Sequence, residues 1–315
     1  MLQFKYLVSL MVLWSALAVA NHASATSLNG FNLDQSVLPV DEILRGGPPK
    51  DGIPAIDNPI FVSADKMDEL HPNDMVLGIT DGTHSKAYPI RILNWHEIVN
   101  DHLGDMPTLV TYCPLCGSGM IFERTFNDQV LDFGVSGLLY NSDVLLFDRQ
   151  TDSLWSQIKK QAVTGAQIGL KFEALAVQHT SWERWKNNHP NTQVLSFDTG
   201  YSRRYSSNPY DGYEETRSTL FPVKFRSEGF HPKQRVIGIE INGQSKAWPL
   251  IELAKANQPV QDSVGGKEVI VHYHEDSQTA WINDSQGEEL PSVTLFWFAW
   301  AAFHDNTSVY HYIGQ

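Results

Sequence analysis

The chain has 315 residues, of which 42% are hydrophobic, so it is long enough to bury one large core or two modest ones. Its 23 lysine and arginine residues against 36 aspartate and glutamate residues give a net charge of −13 at pH 7. This acidity argues against nucleic acid or an anionic membrane surface as a partner.

The N-terminus reads as a secretory signal peptide over residues 1–25. Lys5 provides a positive start, the run YLVSLMVLWSALAVA has the length of a signal-peptide core, and Ala23-Ser24-Ala25 is a small-x-small cleavage site. The apolar run is too short for a stable membrane anchor. We therefore predict an exported protein, periplasmic or extracellular, without a stable membrane anchor once the signal has been removed.

An internal repeat organises the rest of the chain. Residues 75–90 align without gaps on residues 235–250, as MVLGITDGTHSKAYPI on RVIGIEINGQSKAWPL. Each copy has the alternating runs, polar turn and final proline of a β-hairpin, and a helical segment follows. Farther on, residues 182–194 (WERWKNNHPNTQV) align on residues 297–309 (WFAWAAFHDNTSV), which predicts a second pair of short helices. We interpret this pattern as a duplication in which the first copy holds the working site.

The repeat and the strand patterns predict the fold class and the segments. We expect an α+β fold, mostly antiparallel β with short helices, in two related halves. The expected segments are a signal peptide (1–25), an N-terminal extension (26–70), a first repeat with the Cys-x-x-Cys site (71–197), a Tyr-rich connecting loop (198–234) and a second, shorter repeat (235–315).

The only two cysteines, Cys113 and Cys116, lie in TYCPLCGSGM between two predicted strands. Two thiolates that face one point across a proline-stiffened turn are typical of a metal knuckle, which supplies two ligands and needs others. His96, in the helix that leads into the cysteine strand, is the predicted third ligand. We expect one transition metal ion, copper or zinc, with copper slightly preferred because thiolates are soft ligands and Met120 is near in sequence.

Other uses of the same cysteine pair stay open at this point. A reversible dithiol would make the protein a thiol–disulfide oxidoreductase or a redox sensor. A permanent structural disulfide would leave a small-ligand binding module. Whether the protein is an enzyme is equally open, and the expected partner is a small molecule or a metal-delivery protein. His272 and His274 alternate on one strand and so point the same way, which would suit a second, weaker site.

A polar and aromatic cleft is predicted beside the cysteines, within the segment FGVSGLLYNSDVLLFDRQTDSLWSQI (133–158) that the second copy lacks. Arg149 would be available to a carboxylate or another anion, and Trp155 would be a stacking wall. The expected cleft residues are Tyr112, Met120, Tyr140, Asn141, Asp143, Asp148, Arg149 and Trp155.

Four segments, LNWHEIVND, TYCPLCGSG, the segment 133–158 and WERWKNNHPNT, together resemble a bacterial exported family known as domain of unknown function 3179. The resemblance runs from about residue 70 to the C-terminus and implies no settled activity. It places ten residues in the hallmark segments of that family: Tyr112, Cys113, Cys116, Gly137, Tyr140, Asn141, Asp148, Thr151, Ser153 and Trp155.

Overall fold

A computed structural model of the chain describes residues 26–224, 229–256 and 258–314. The predicted signal peptide, residues 1–25, lies outside the described residues, so it stays a prediction. Within these ranges no helix is long and apolar enough to cross a membrane.

The described chain forms 25 strands, four α-helices and two 3-10 helices. The first thirteen strands are β1 (Ser27–Leu28), β2 (Phe31–Asn32), β3 (Ile43–Arg45), β4 (Phe61–Ser63), β5 (Met75–Thr80), β6 (Ser85–Pro89), β7 (Ile98–Leu103), β8 (Met106–Cys113), β9 (Ser118–Glu123), β10 (Thr125–Phe126), β11 (Gln129–Val130), β12 (Phe133–Tyr140) and β13 (Asp143–Asp148). The other twelve are β14 (Leu154–Ser156), β15 (Gln161–Ala162), β16 (Ala174–Leu175), β17 (Gln178–Ser181), β18 (Gln193–Leu195), β19 (Arg235–Ile241), β20 (Gln244–Pro249), β21 (Val260–Val264), β22 (Lys267–His274), β23 (Thr279–Asp284), β24 (Val293–Phe296) and β25 (Ser308–Val309). The helices are α1 (Ile90–His96), α2 (Trp182–Asn188), α3 (Leu250–Leu253) and α4 (Trp297–Phe303), and the 3-10 helices are Val40–Glu42 and Ala64–Lys66.

The predicted α+β fold in two related halves is wrong, because the protein is a five-bladed β-propeller with 41% strand and 11% helix. Each blade is one sheet. The sheets, each in its strand order, are β17-β5-β6-β18-β4 (blade 1), β16-β9-β8-β7 (blade 2), β15-β14-β13-β12-β3 (blade 3), β24-β19-β20-β25 (blade 4) and β21-β22-β23 (blade 5).

The predicted repeat is present in the blades, and its course explains why the two-halves prediction failed. The first unit gives β5 and β6 to blade 1, then β7 to β9 to blade 2, and returns to blade 1 with β17, α2 and β18. The second unit follows the same course with β19 to β25 in blades 4 and 5, and both units end with a strand that pairs in parallel. One repeat unit is therefore shared by two blades. Blade 3 has no counterpart in the second unit within the described ranges.

In both repeat units, a tryptophan ring of the helix packs against a glycine of the neighbouring strand and so fixes the position of the helix. The Trp185 ring of α2 lies where a side chain on Gly78 would stand, with a built Cβ only 2.3 Å from the ring, and Trp300 of α4 covers Gly238 at 2.5 Å. Each indole N–H then donates to a threonine hydroxyl just beyond its helix, at 3.0 Å in the first unit and 2.9 Å in the second. This packing explains the paired tryptophan helices that the sequence shows twice.

Candidate metal centre

Cys113 and Cys116 lie in the turn that joins β8 to β9 in blade 2. The Cys116 N–H donates to the Cys113 carbonyl at 3.1 Å, and Gly117 follows with φ +60°, which glycine adopts without strain. The Phe296 N–H of blade 4 donates to the Cys116 carbonyl at 2.8 Å. A Cβ on Gly117 would lie 2.9 Å from the Phe296 ring, so the turn is packed closely against blade 4.

The third group at the site comes from blade 3, from the turn between β12 and β13. Asn141 and Ser142 have φ of +50° and +66°, the left-handed pair that a two-residue hairpin turn requires, and Asp143 then opens β13. The Ser142 carbonyl lies 3.7 Å from the Cys113 sulfur and 3.4 Å from the Cys116 sulfur. The two sulfurs and a carboxylate oxygen of Asp143 lie within 4.8 Å of one another.

Burial sets the protonation of this cluster. Asp143 Oδ2 accepts the Ile158 N–H at 3.1 Å, whereas Oδ1 is buried and has no hydrogen-bond partner in the described part of the chain. Burial raises the pKa of Asp143 to about 8. Burial, together with the neighbouring Cys113 and Asp143, also raises the pKa of the Cys116 thiol well above its usual range. A cation at this site would replace protons that the buried groups otherwise keep at neutral pH.

A second buried carboxyl, that of Glu97, lies near the cluster. Glu97 follows α1 with φ +59°, and its carbonyl accepts the Tyr112 N–H at 2.8 Å, next to the cysteine turn. Burial, and then the charge of Asp143, raises the pKa of Glu97 to about 8. The sequence offers one signal for this residue, an acidic side chain directly after α1, the helix that leads into β7.

His96 is not among the groups that lie within 4.8 Å of both sulfurs. Its Nδ1 lies 2.8 Å from the Pro54 carbonyl and its Nε2 lies 2.6 Å from the Tyr205 hydroxyl, which also contacts the Thr199 hydroxyl at 2.5 Å. Both ring nitrogens of His96 are therefore engaged in hydrogen bonds. The residue connects α1 to the Tyr-rich connecting loop, and the structure brings Asp143, not His96, beside the two sulfurs.

Two predicted cleft residues, Asp148 and Arg149, organise blade 3. Asp148 accepts the indole N–H of Trp155 at 2.9 Å, and the Trp155 ring is fully buried. Arg149 forms ion pairs with Asp51 at 3.3 Å and Asp57 at 2.6 Å. Trp155 belongs to the same buried hydrophobic cluster as the two cysteines, whereas Arg149 is held by carboxylates of the segment between β3 and β4.

The remaining cleft residues surround the cysteines at different depths. Met120 is buried in the same hydrophobic cluster as both cysteines. The buried Tyr112 ring meets His179 edge-on, with ring centroids 6.2 Å apart, and Tyr140 packs against Phe303 at 5.7 Å. The predicted cleft residues therefore lie in the neighbourhood of the cysteines, and the cleft itself stays a prediction.

The Tyr-rich connecting loop covers the blade 3 side of the site over residues 198–224. Ser142, whose carbonyl lies near both sulfurs, donates its hydroxyl to the Phe221 carbonyl at 2.9 Å. The Asn141 side-chain oxygen accepts the Lys224 N–H at 2.8 Å. Both residues of the β12–β13 turn are thus bonded to the loop, which encloses this side of the cluster.

Comparison with known proteins adds a family but no activity. The family model described as Protein of unknown function (DUF3179) matches residues 50–307, a range that includes both cysteines and Asp143. No curated protein and no solved structure matches the chain. The chemistry of the site therefore has to be argued from its own residues.

Proposed function

Because the chain belongs to the family described as Protein of unknown function (DUF3179), whose description carries no activity, we propose a function from the site itself. The protein binds one transition metal ion through Cys113, Cys116 and Asp143. The ligands come from two blades, so the ion would also join blade 2 to blade 3.

The observation that supports this proposal best is the position of the buried Asp143 carboxyl beside both sulfurs. Its Oδ1 accepts no backbone or hydroxyl hydrogen bond in the described ranges, so the two thiols and a bound cation are its available partners. Bonds of about 2.3 Å to sulfur and about 2.1 Å to oxygen in a tetrahedral site place ligand atoms roughly 3.6–3.8 Å apart. This spacing falls within the 4.8 Å that spans the two sulfurs and the carboxylate.

The carboxylate changes the preferred metal from copper to zinc. Two thiolates and a carboxylate carry three negative charges in a buried site, and a divalent ion leaves less of that charge uncompensated than Cu(I) does. Zn²⁺ accepts both sulfur and carboxylate ligands, whereas the soft Cu(I) ion favours sulfur alone. Three protein ligands leave one position for a water or a substrate, which is the arrangement of catalytic zinc sites. The buried carboxyl of Glu97 is near enough to Asp143 to be influenced by its charge and would serve such chemistry as an acid or a base.

A thiol–disulfide oxidoreductase is the second candidate function. Both cysteines are free and two residues apart, which favours it. Burial opposes it, because the attacking thiol of an oxidoreductase has to be accessible to its substrate, whereas Cys113 and Cys116 are both buried. In the exported setting that we also propose, a bound metal ion would shield the thiols from oxidation.

Elemental analysis and thiol titration of protein purified without chelator test the metal proposal. We expect about one zinc per chain with both thiols shielded, and loss of the zinc in Cys113→Ser and in Asp143→Asn. His96→Ala should keep the metal. Asp101→Asn should keep it too, since Asp101 is a buried acid held by Lys86 at 2.8 Å in another part of blade 2. Loss of zinc in His96→Ala with retention in Asp143→Asn would overturn the ligand set, and a metal-free protein with a disulfide would favour the oxidoreductase.

A further inference from the structure

The turn between β22 and β23 in blade 5 is the repeat counterpart of the cysteine turn. β22 ends at His274 as β8 ends at Cys113, and Ser277 stands where Cys116 stands in the first unit. Both turns have four residues, and the last of them is left-handed in each, with φ of +60° in the first unit and +50° in the second. The duplication therefore presents the same surface twice, with histidine and serine replacing the two cysteines.

The two turns also pack against equivalent helices, each in the other unit. The cysteine turn contacts Phe296 at the start of α4, and the second turn reaches the start of α2. There, the Thr279 hydroxyl donates to the Thr180 hydroxyl at 2.7 Å and also contacts the Ser277 hydroxyl at 2.7 Å. Ser277 in turn lies 2.8 Å from His274 Nδ1. This chain of hydrogen bonds holds the turn against β17, the strand that leads into α2.

A polar cavity of about 260 Å³ lies at this second junction. Its lining differs from the metal centre because α2 carries polar residues where α4 carries apolar ones, such as Arg184 in the place of Ala299. The lining includes Asn73, Arg184, Asn187, Asn188, His274 and Ser277. The cavity is smaller than the roughly 300–1,000 Å³ of pockets for drug-sized ligands, so it suits a small polar molecule.

Arg184 is the only arginine or lysine in this lining, which also holds the carboxylates of Glu183 and Asp276. In the described ranges Arg184 forms none of the ion pairs shorter than 4.0 Å, and its Nε is buried there without a hydrogen-bond partner. The guanidinium packs over the Trp281 ring at 5.1 Å, which restrains its plane. A guanidinium has five N–H donors, and a buried donor without a hydrogen bond lowers stability. The geometry therefore favours an acceptor supplied by a ligand.

We propose that this cavity binds a small phosphate, as the free ion or as the monoester of a small alcohol. The planar fork of Arg184 matches phosphate oxygens, and the amides of Asn187 and Asn188 add neutral donors. Two acidic residues, Glu183 and Asp276, also line the cavity and would accept hydrogen bonds from a phosphate O–H or an alcohol hydroxyl. The proposal does not depend on a metal at the cysteines.

Calorimetric titration with inorganic phosphate and with glycerol 3-phosphate tests the site. We expect saturable binding of one ligand per chain, weakened roughly 10- to 100-fold in Arg184→Gln through the loss of a charged hydrogen bond. The matched control is Lys186→Gln, which removes a charge from the same helix but not from the lining, and should change the affinity less than about twofold. Tighter binding of glycerol 3-phosphate than of phosphate would identify a monoester as the ligand.

A second variant keeps the test decisive if Arg184→Gln is poorly folded. Asn188→Asp leaves the arginine in place, changes an exposed residue and adds a negative charge to the lining, so it should also weaken phosphate binding. Protein treated with a chelator should bind phosphate as tightly as untreated protein, which separates this proposal from the metal site. Absence of saturable binding, or equal affinity in Arg184→Gln or in Asn188→Asp, would overturn the proposal.

Discussion

Replacing Asp143 with asparagine should make the metal-free protein less sensitive to alkaline pH. The folded state raises the pKa of this carboxyl from its ordinary 3.8 to about 8, because the group is buried without a cation. The folded state therefore holds a proton that the unfolded chain releases between these two values. For a carboxyl with a raised pKa, the stabilising contribution is complete below the unfolded value and is lost as the pH rises towards the folded value.

The magnitude follows from the size of this window. Each pH unit inside it changes the free energy of unfolding by about 1.4 kcal/mol, so the three units from pH 5 to pH 8 correspond to roughly 4 kcal/mol. This is a large fraction of the roughly 5–15 kcal/mol that stabilises a typical domain. The asparagine amide cannot ionise, so the free energy of unfolding of the variant should lose this part of its pH dependence. The contribution of Glu97 to that pH dependence remains in both proteins.

Urea unfolding of the two chelator-treated, reduced proteins at pH 5, 6.5 and 8 would measure the difference through tryptophan fluorescence. We expect the unmodified protein to lose stability relative to Asp143→Asn as the pH rises. Adding zinc should reverse that loss only in the unmodified protein, since the ion takes the place of the proton. Parallel stability curves from pH 5 to pH 8 would refute the electrostatic account of the site.

Two further predictions concern the loop and the repeat. Tyr205→Phe removes the hydroxyl that contacts His96 and should leave the zinc stoichiometry unchanged. The thiols of the metal-free variant should react about fivefold faster with a small thiol reagent, because a hydrogen bond of about 1 kcal/mol no longer holds the connecting loop. An unchanged reaction rate would show that this contact does not restrain the loop. Gly238→Ala places a Cβ 2.5 Å from the Trp300 ring and should lower the free energy of unfolding, measured by urea titration, by about 1–3 kcal/mol. A loss below about 0.5 kcal/mol, which is typical of a surface substitution, would contradict the close packing of Trp300 on Gly238.

The repeat could be predicted from the sequence because its signals are local. A hairpin of alternating residues and a helix with tryptophans three residues apart are complete within short windows, and each appears twice. The propeller could not be predicted in the same way. Its blades depend on strands that return after long intervals, as β17 returns to pair with β5, and no local pattern records that pairing.

The residues of the candidate site also differ in whether a local sequence pattern could predict them. The cysteine turn was predictable because Cys113, Cys116 and Gly117 are close together in the chain. Asp143 lies 27 positions beyond Cys116, and only the two-residue turn of blade 3 brings it to the sulfurs. It was predicted as a cleft residue, whereas His96 was chosen as the ligand because it lies in the helix that leads into the cysteine strand. The structure places the His96 ring against the connecting loop, with its Nε2 2.6 Å from the Tyr205 hydroxyl, and proximity in sequence did not single out Asp143 as a ligand.

Comparing the two equivalent turns indicates how the repeat units diverged. Both turns are held against the start of a helix from the other unit, but one carries two thiols beside a buried acid and the other carries a hydroxyl and an imidazole beside Arg184. On the two proposals above, the first turn binds a cation and the second binds a phosphate, so that one scaffold position serves two different ligands.

X-ray absorption spectroscopy at the zinc edge would identify the ligands of the proposed metal ion, because it reports the atoms bound to the metal. We expect two sulfur neighbours at about 2.3 Å and lighter oxygen neighbours at about 2.0–2.2 Å, with no imidazole signal. In Asp143→Asn the oxygen contribution should fall, or the metal should be lost. An imidazole signal, or a zinc ion without sulfur neighbours, would contradict the assignment of Cys113, Cys116 and Asp143 as the ligands.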